Sequence, residues 1–499
     1  MVVKIIFMLL FFAVMVAVGI YSRKHATNVN GFVLGGRKVG PWMTAFAYGT
    51  SYFSAVVFIG YAGQFGWKYG MSSTWIGIGN AVIGSLLAWM VLGRRTRIMT
   101  KAVDSATMPD FFGKRYGSNA LKIVASVIVF VFLIPYTASV YNGLSNLFEM
   151  AFNIDYRVCV IIMATLTGLY VILGGYMATA INDFIQGIFM LFGIAAVIIG
   201  VLHNQGGLSA AVSALSQIES DIPATAGQVG KFTALFGTDP RNLLGVVILT
   251  SLGTWGLPQM VGKFYAIDSD KSVKIGTIVS TVFAVIVAGG SYFLGGFGRL
   301  FDSPAIYKAD GSVAFDKIVP QMLSTLPEIL IGVVIVLVLS ASMSTLSSLV
   351  LTSSSTLTLD LIQPAMKEKI DSKKQLLIMR IFIVFFILIS VVIALDPPTF
   401  IAQLMGISWG ALAGAFLAPF LYGLYWKGVT KLSVWVTFLF GVGVTVANMY
   451  LKFFASPINC GAFTMLASLV LVPVVSLLTP KQWKPDEKEM NKLFSCYDK

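Results

Sequence analysis

The sequence predicts an all-α integral membrane protein with about thirteen transmembrane helices. Its 499 residues are 57% hydrophobic and only 11% charged, whereas a soluble domain has roughly 25% charged residues. Mean hydropathy is +0.84. Crossing a bilayer requires about 20 apolar residues. Thirteen stretches approach or exceed that length, at 3–21, 41–62, 72–93, 122–148, 157–176, 184–202, 242–262, 274–295, 328–358, 376–395, 399–424, 431–451 and 462–479.

The positions of the basic residues predict the orientation. If the N-terminus lies outside, 26 of the 35 lysines and arginines fall in the alternate loops and tail that would lie inside. Those segments are 23–40, 94–122, 263–274, 367–380, the positions of Lys427 and Lys431, and 481–499. An excess of basic residues marks cytoplasmic loops. We therefore expect a multi-pass cell-membrane protein with one domain over 1–480, a basic cytoplasmic tail at 481–499 and the N-terminus outside.

Several classes of protein are excluded by what the sequence lacks. Cys159, Cys460 and Cys496 are too scattered for a disulfide framework, and no cysteine or histidine cluster has metal-ligand spacing. The phosphate-binding pattern GxxxxGK[ST] is missing, and the net charge of +13 is explained by the loops. The sequence therefore predicts no enzyme, no organic cofactor, no transition metal, no nucleic-acid partner and no obligate protein partner.

Two of the apolar stretches are interrupted by helix-breaking residues. The second contains the polar run Gly49 to Tyr52, and the seventh contains Gly253, Gly256 and Pro258. Paired interruptions in equivalent spans mark the binding sites of transporters built from inverted repeats. The two spans lie five apart, so we predict two five-helix repeats, at about 41–202 and 242–424.

The ninth span carries an unusual number of hydroxyl groups. Twelve serines and threonines lie between Ser340 and Thr358, and no charge occurs before Asp360. Residues three and four apart share a helix face, which places Ala341, Ser344, Thr345 and Ser348 together. Such a face supplies either packing contacts between helices or neutral oxygen ligands for a dehydrated monovalent cation.

One carboxylate and several aromatic residues are further candidates. Asp183 begins the sixth span, and an ionisable group there is a functional hypothesis by default. The alternative is a helix N-terminal carboxylate that faces water. Aromatic residues near the breaks could form the wall of a solute pocket, although ordinary core packing is the simpler interpretation for each.

Four segments resemble the sodium/solute symporter family. They are SASMSTLSSLVLTSSSTLTLDL, TSYFSAVVFIG, LGGRKVGPWMTAFA and INDFIQG. The likeness extends over about residues 3–479, with MSTLSS as the specific signature, and is nearest to the bacterial pantothenate and proline branches. It implies a leucine-transporter-type core and sodium-coupled uptake of a small organic solute, either a carboxylate such as pantothenate or an amino acid such as proline.

The resemblance also implies site residues. The main sodium site corresponds to Thr50, Phe53, Ala341, Ser344 and Thr345. A second sodium, or a proton, would use Asp183, Ser344, Ser347 and Ser348. The solute contacts are predicted from the aromatic residues near the breaks, Tyr52, Tyr136, Trp255 and Trp409, with Gln259 as a weaker candidate. The proline branch also has a tyrosine at the position of Tyr136.

Two departures narrow the choice of solute. The proline branch has an aspartate where this chain has Tyr52, and sugar carriers have polar residues where it has Val56 and Val57. The rival functions are a proton-coupled carrier that uses Asp183, a channel, and a membrane sensor.

Overall fold

The computed structural model describes residues 2–366, 371–396, 399 and 401–498. Apart from two isolated β-bridges, the regular structure in this part of the chain is helical, which confirms the predicted fold class. Ten of the described helices are long and apolar enough to cross a membrane. An eleventh span is obtained when Pro240–Gly256 and Pro258–Tyr265, which meet at an angle of 44°, are counted together.

Two of the ten helices are long enough to cross the membrane twice. Val56–Ala102 has 47 residues and Tyr156–Asn204 has 49, whereas one crossing needs about 20. Each is interrupted at a glycine with almost the same backbone geometry, Gly70 (φ 62°, ψ −141°) and Gly175 (φ 55°, ψ −148°). Only glycine adopts this geometry without strain. Dividing both helices there yields the thirteen spans predicted from hydropathy.

The helices of the thirteen spans are, in order, Val2–Ser22, Pro41–Tyr52 with 56–69, 74–102, Asn119–Phe152, 156–174, 176–204, Pro240–Gly256 with Pro258–Tyr265, Asp270–Gly295, Glu328–Ala365, Ser372–Leu395, Ile401–Tyr425, Lys431–Leu451 and Pro457–Leu478. Shorter helices lie in segments that we predicted as loops or tail. They are Met108–Tyr116, Leu208–Ser216, Ile318–Ser324 and Glu487–Phe494.

The C-terminal segment folds back onto the bundle. Phe494 is buried, and the guanidinium of Arg115 lies 5.3 Å from the centre of its ring. Lys427 Nζ donates a hydrogen bond to Asn491 Oδ1 at 2.7 Å. The segment predicted as a basic tail is therefore packed against the loop helix Met108–Tyr116.

The second and seventh spans break with the same backbone geometry. Phe53 has φ −86° and ψ 116°, and Leu257 has φ −84° and ψ 122°. After each break one carbonyl, that of Ser54 or of Leu257, accepts hydrogen bonds from the amides three and four residues later. Equal geometry five spans apart is what two repeats require. The repeat boundaries, 41–202 and 242–424, stay a prediction.

Glycines bring neighbouring helices close to the second span. A Cβ on Gly187 of the sixth span would lie 2.2 Å from the ring of Phe46, and a Cβ on Gly143 of the fourth would lie 2.9 Å from Ala55. A Cβ on Gly66 would lie only 1.9 Å from the carbonyl oxygen of Gly295 in the eighth span. Small residues permit such approach in membrane bundles, and three other spans therefore surround the broken helix.

We expect Gly66→Val to destabilise the protein strongly. Overpacking costs about 1–3 kcal/mol, and here the clashing neighbour is backbone, which cannot rotate away. The matched control is Gly443→Ala, because a Cβ at Gly443 would meet nothing within 4 Å. Thermal melting in detergent measures both variants. A wild-type melting temperature for Gly66→Val would contradict the backbone-to-backbone packing.

Candidate functional site

The hydroxyl of Thr345 in the ninth span lies opposite the break in the second span. Its Oγ1 is 3.4 Å from the carbonyl oxygens of Thr50 and Phe53 and 3.3 Å from that of Ser51. It is also 3.1 Å from the carbonyl oxygen of Ala341 in its own helix. A hydroxyl has one proton to donate, so most of these carbonyl oxygens keep their partial negative charge. Converging carbonyl oxygens of this kind can replace the hydration shell of a monovalent cation.

The break is the reason that these oxygens are available. Phe53 is extended, and the helix restarts at Val56, whose amide donates to Ser54 Oγ at 3.1 Å. Carbonyls in the last turn before a helix end have no partner in their own helix. Four of the five residues predicted for the main site, Thr50, Phe53, Ala341 and Thr345, are therefore together.

Ser344 is the fifth residue of the predicted main site, and its hydroxyl is also near a carboxylate. Its hydroxyl lies beside the carboxylate of Asp183, although the two make no hydrogen bond of normal geometry, and Ser344 Oγ has no partner among the described residues. It is completely buried. Ser344 therefore has an unpaired oxygen, beside Asp183 and adjacent in the chain to Thr345, that is available to an ion.

Asp183 is completely buried in the sixth span, so the interpretation as a carboxylate that faces water is wrong. Its Oδ2 lies 3.5 Å from the ammonium nitrogen of Lys263. The same ammonium donates to Ser348 Oγ at 3.0 Å. Ser347 donates instead to the carbonyl of Ser344 in its own helix, at 2.8 Å. Asp183 and Ser348, two of the residues predicted for a second ion, thus meet around a lysine.

Lys263 is the residue that sequence reasoning misplaced. We counted it among the basic residues of the predicted cytoplasmic segment 263–274, directly after the apolar stretch 242–262. It lies within the helix Pro258–Tyr265 and is only 3% exposed, because Asp183 compensates its charge. Its spacing of four from Gln259, just after a broken helix, is a signal that could have placed it on an inward face.

A hydroxyl pair connects the two sets of residues. Ser51 Oγ and Ser348 Oγ are 2.8 Å apart, and the carbonyl oxygen of Ser51 is one of those near Thr345. A continuous path therefore runs from Lys263 through Ser348 and Ser51 to the hydroxyl of Thr345. Each step in it is a contact of 3.3 Å or less.

Trp409 of the eleventh span is the centre of an aromatic cluster. Its ring lies 6.0 Å from that of Tyr52 and 5.8 Å from that of Tyr136. The Tyr136 hydroxyl is near the Trp409 indole nitrogen. Among the described residues, three polar groups of the cluster have no hydrogen-bond partner of normal geometry: the hydroxyls of Tyr52 and Tyr136 and the indole N–H of Trp409. Buried polar groups usually have partners, so the unpaired groups around one ring make this cluster a candidate solute site.

Sequence reasoning missed two further members of this cluster. The hydroxyl of Tyr292 in the eighth span faces Tyr52 and Asn80. Tyr292 and the Asn80 amide nitrogen also have no partner of normal geometry in the described part of the chain. Nothing in the local pattern of the third or eighth span distinguishes these residues, because only the packing brings them to Tyr52.

The other two predicted solute contacts lie elsewhere. The indole nitrogen of Trp255 donates to the carbonyl of Ile83 at 2.9 Å, which turns its polar atom toward the third span. Gln259 is buried and lines a cavity together with Lys263. The structure therefore brings Tyr52, Tyr136 and Trp409 together and leaves Trp255 and Gln259 outside the aromatic cluster.

The site lies inside a membrane bundle and consists of a broken helix whose carbonyl oxygens face a hydroxyl-bearing span. Secondary transporters bind their ions in this kind of arrangement. The family model for sodium:solute symporters matches residues 32–441, and the chain belongs to this family. It is 30% identical to a sodium/proline symporter of Staphylococcus aureus (strain NCTC 8325 / PS 47), over 97% of this chain and 94% of the relative.

Two solved structures share the fold. A sodium-coupled sialic acid symporter, solved with substrate in an outward-open state, has a TM-score of 0.79 at 17% identity and covers 97% of this chain and 98% of its own. Mhp1, a nucleobase-cation-symport-1 family transporter solved in a closed conformation with bromovinylhydantoin, has a TM-score of 0.54 at 11% identity, over 93% of this chain and 98% of its own. The chain is thus a sodium-coupled solute symporter of the plasma membrane with the leucine-transporter-type fold, and not an enzyme.

We expect Tyr136→Phe to leave the free energy of unfolding unchanged or to raise it, because it removes a buried hydroxyl that has no partner of normal geometry. Tyr170→Phe is the control, since its hydroxyl donates to the carbonyl of Met343 at 2.8 Å. Losing that bond should cost about 1 kcal/mol. Thermal melting without solute compares the two. A greater loss for Tyr136→Phe than for Tyr170→Phe would show that the Tyr136 hydroxyl is satisfied within the protein.

Proposed function

We propose that the coupling sodium ion binds between the second and ninth spans. Its ligands are the carbonyl oxygens of Thr50, Phe53 and Ala341 and the hydroxyls of Ser344 and Thr345. The observation that carries this proposal is the position of Thr345 Oγ1, within 3.4 Å of four carbonyl oxygens. All five ligands are uncharged oxygens, as suits a monovalent ion that must also be released.

Bound sodium would act on solute affinity through the broken helix. The ion joins the carbonyls before the break to the ninth span, and Tyr52, one residue before the extended Phe53, belongs to the aromatic cluster. Ordering the break therefore positions Tyr52 for the solute. The coupling is reciprocal, so solute must raise sodium affinity by the same factor. Each sodium ion that moves inward releases about 2.3 kcal/mol per 100 mV of membrane potential.

Substitution of the two hydroxyl ligands tests the sodium site. We expect Thr345→Ala and Ser344→Ala to raise the sodium concentration for half-maximal uptake roughly tenfold or more, since a hydrogen bond to a charged group is worth about 1.5–3 kcal/mol. Ser354→Ala is the control, because that buried hydroxyl only donates to the carbonyl of Leu351 in its own helix. Wild-type sodium dependence in both site variants would refute the assignment.

We propose that the solute binds in the aromatic cluster and is a carboxylate without an amino group, such as pantothenate. The cluster consists of Tyr52, Tyr136, Tyr292, Trp409 and Asn80, and its unpaired groups include five potential hydrogen-bond donors. Donors suit a carboxylate, whereas the ammonium of an amino acid calls for an acidic partner, and none of these five residues is acidic. Trp255 and Gln259 are left out because they lie apart from the cluster.

Two alternatives concern the solute and the coupling ion. Proline is supported by the 30% identical sodium/proline symporter, although Tyr52 stands where that branch has an aspartate. Proton coupling through Asp183 is less favoured, because that carboxylate already has the ammonium of Lys263 as its counter-charge.

Uptake into proteoliposomes distinguishes the candidates. Labelled pantothenate, proline and other small carboxylates are offered under an inward sodium gradient, with potassium and proton gradients as comparisons. We expect sodium-driven accumulation of a carboxylate and no accumulation of proline. Sodium-driven proline uptake would overturn the solute class and retain the sodium site. Accumulation driven by protons and indifferent to sodium would overturn the sodium site itself.

A further inference from the structure

We propose that the ammonium of Lys263 is the permanent cation of the second ion site, so that this symporter carries one sodium per cycle. This inference rests on the proposed sodium coupling and concerns its stoichiometry. The residues predicted to hold a second ion are Asp183, Ser344, Ser347 and Ser348. Ser344 lies beside Asp183, and Lys263 contacts both Asp183 and Ser348.

The ammonium has the surroundings of a bound cation. Its nitrogen is 3.5 Å from Asp183 Oδ2 and 3.0 Å from Ser348 Oγ. On a third side it lies 5.3 Å from the centre of the Tyr176 ring, a cation–π distance. An ammonium has three N–H donors, and a carboxylate, a hydroxyl and an aromatic face are available to them. Lys263, Asp183 and Ser348 are all at most 4% exposed.

The charges at this site are already balanced. Asp183 supplies one negative charge and Lys263 one positive charge. The second carboxylate oxygen, Oδ1, has no hydrogen-bond partner among the described residues. A sodium ion on it would add a second cation to a buried site that holds one carboxylate, and like charges in such a site repel strongly. We therefore expect a second sodium to bind only when the ammonium is absent.

The site borders a small cavity. Its volume is about 50 Å³, and its lining includes Lys263, Ser348 and Gln259 as well as Thr107 and Met108. The last two lie in the connection that the basic residues predict to be cytoplasmic. A shorter side chain at position 263 would enlarge this cavity toward Asp183 and leave room beside the carboxylate for a sodium ion.

The position of Lys263 lets its ammonium connect three spans. It belongs to the half-helix after the break in the seventh span, whereas its partners lie in the sixth and ninth spans. Ser348 in turn contacts Ser51 Oγ at 2.8 Å, next to the proposed main site. The ammonium thus holds the two broken spans to the ninth span, as a second sodium would, but without being transported.

Counting sodium ions tests this inference. Equilibrium binding of labelled sodium to the purified full-length protein, and the ratio of sodium to solute flux in proteoliposomes, should both give one for the wild type. In Lys263→Ala the bound sodium should rise from one to two. Lys263→Arg keeps the cation and should stay at one. The double variant Lys263→Ala with Asp183→Asn should bind one sodium again. Lys68→Ala is the control for the loss of any lysine, because the ammonium of Lys68 lies elsewhere, over the ring of Phe315.

The outcomes separate this inference from the proposed function. No sodium binding and no sodium-dependent uptake by the wild type would refute the coupling itself. Two sodium ions bound by the wild type, or one by a folded Lys263→Ala, would refute only the role of Lys263. The binding measurement needs no transport, so an inactive Lys263→Ala that elutes as a monodisperse species and melts cooperatively still decides the question.

Discussion

The structure depends on the contact between the broken second span and the hydroxyl face of the ninth. Inside a bilayer, backbone groups freed from a helix must find partners within the protein. The carbonyls of Thr50, Ser51 and Phe53 meet the hydroxyl of Thr345 at 3.3–3.4 Å, distances at the long end for hydrogen bonds. One hydroxyl can donate only one hydrogen bond, so at least two of the three carbonyl oxygens lack a donor. A bound sodium ion would be a partner for them. The cost of breaking the helix is thus connected directly to ion binding.

Much of the packing can be understood as support for this contact. Glycines in the fourth, sixth and eighth spans, Gly143, Gly187 and Gly295, allow their helices to approach the second span closely. The sixth span then brings Asp183 to the ninth, one helical turn before Gly187. The break in the seventh span sends Lys263 to the same place. Two broken helices and one hydroxyl-bearing helix therefore meet in one polar centre.

The sequence predicts the parts of this centre that local patterns encode. Run length, glycine and proline reveal the thirteen spans and both breaks, and the concentration of hydroxyls identifies the ninth span. Asn80, Tyr292 and Lys263 could not be found in this way, because their roles arise from contacts between spans distant in sequence. Lys263 also carries a charge that hydropathy assigns to a loop, and only its pairing with Asp183 explains its burial. For Trp255, proximity to a break was an insufficient guide to the direction of the side chain.

The most direct test of the account is whether sodium orders the break in the second span. Amide hydrogen exchange followed by mass spectrometry compares wild-type protein in sodium and in potassium, without solute, with peptides from the twelfth span as the internal reference. We predict that sodium slows exchange in peptides that include Ser54 and Ala55, whose amides follow the proposed ligands, and leaves the twelfth span unchanged. Equal exchange at the break in both salts, at sodium concentrations that support uptake, would contradict the claim that the coupling ion binds there.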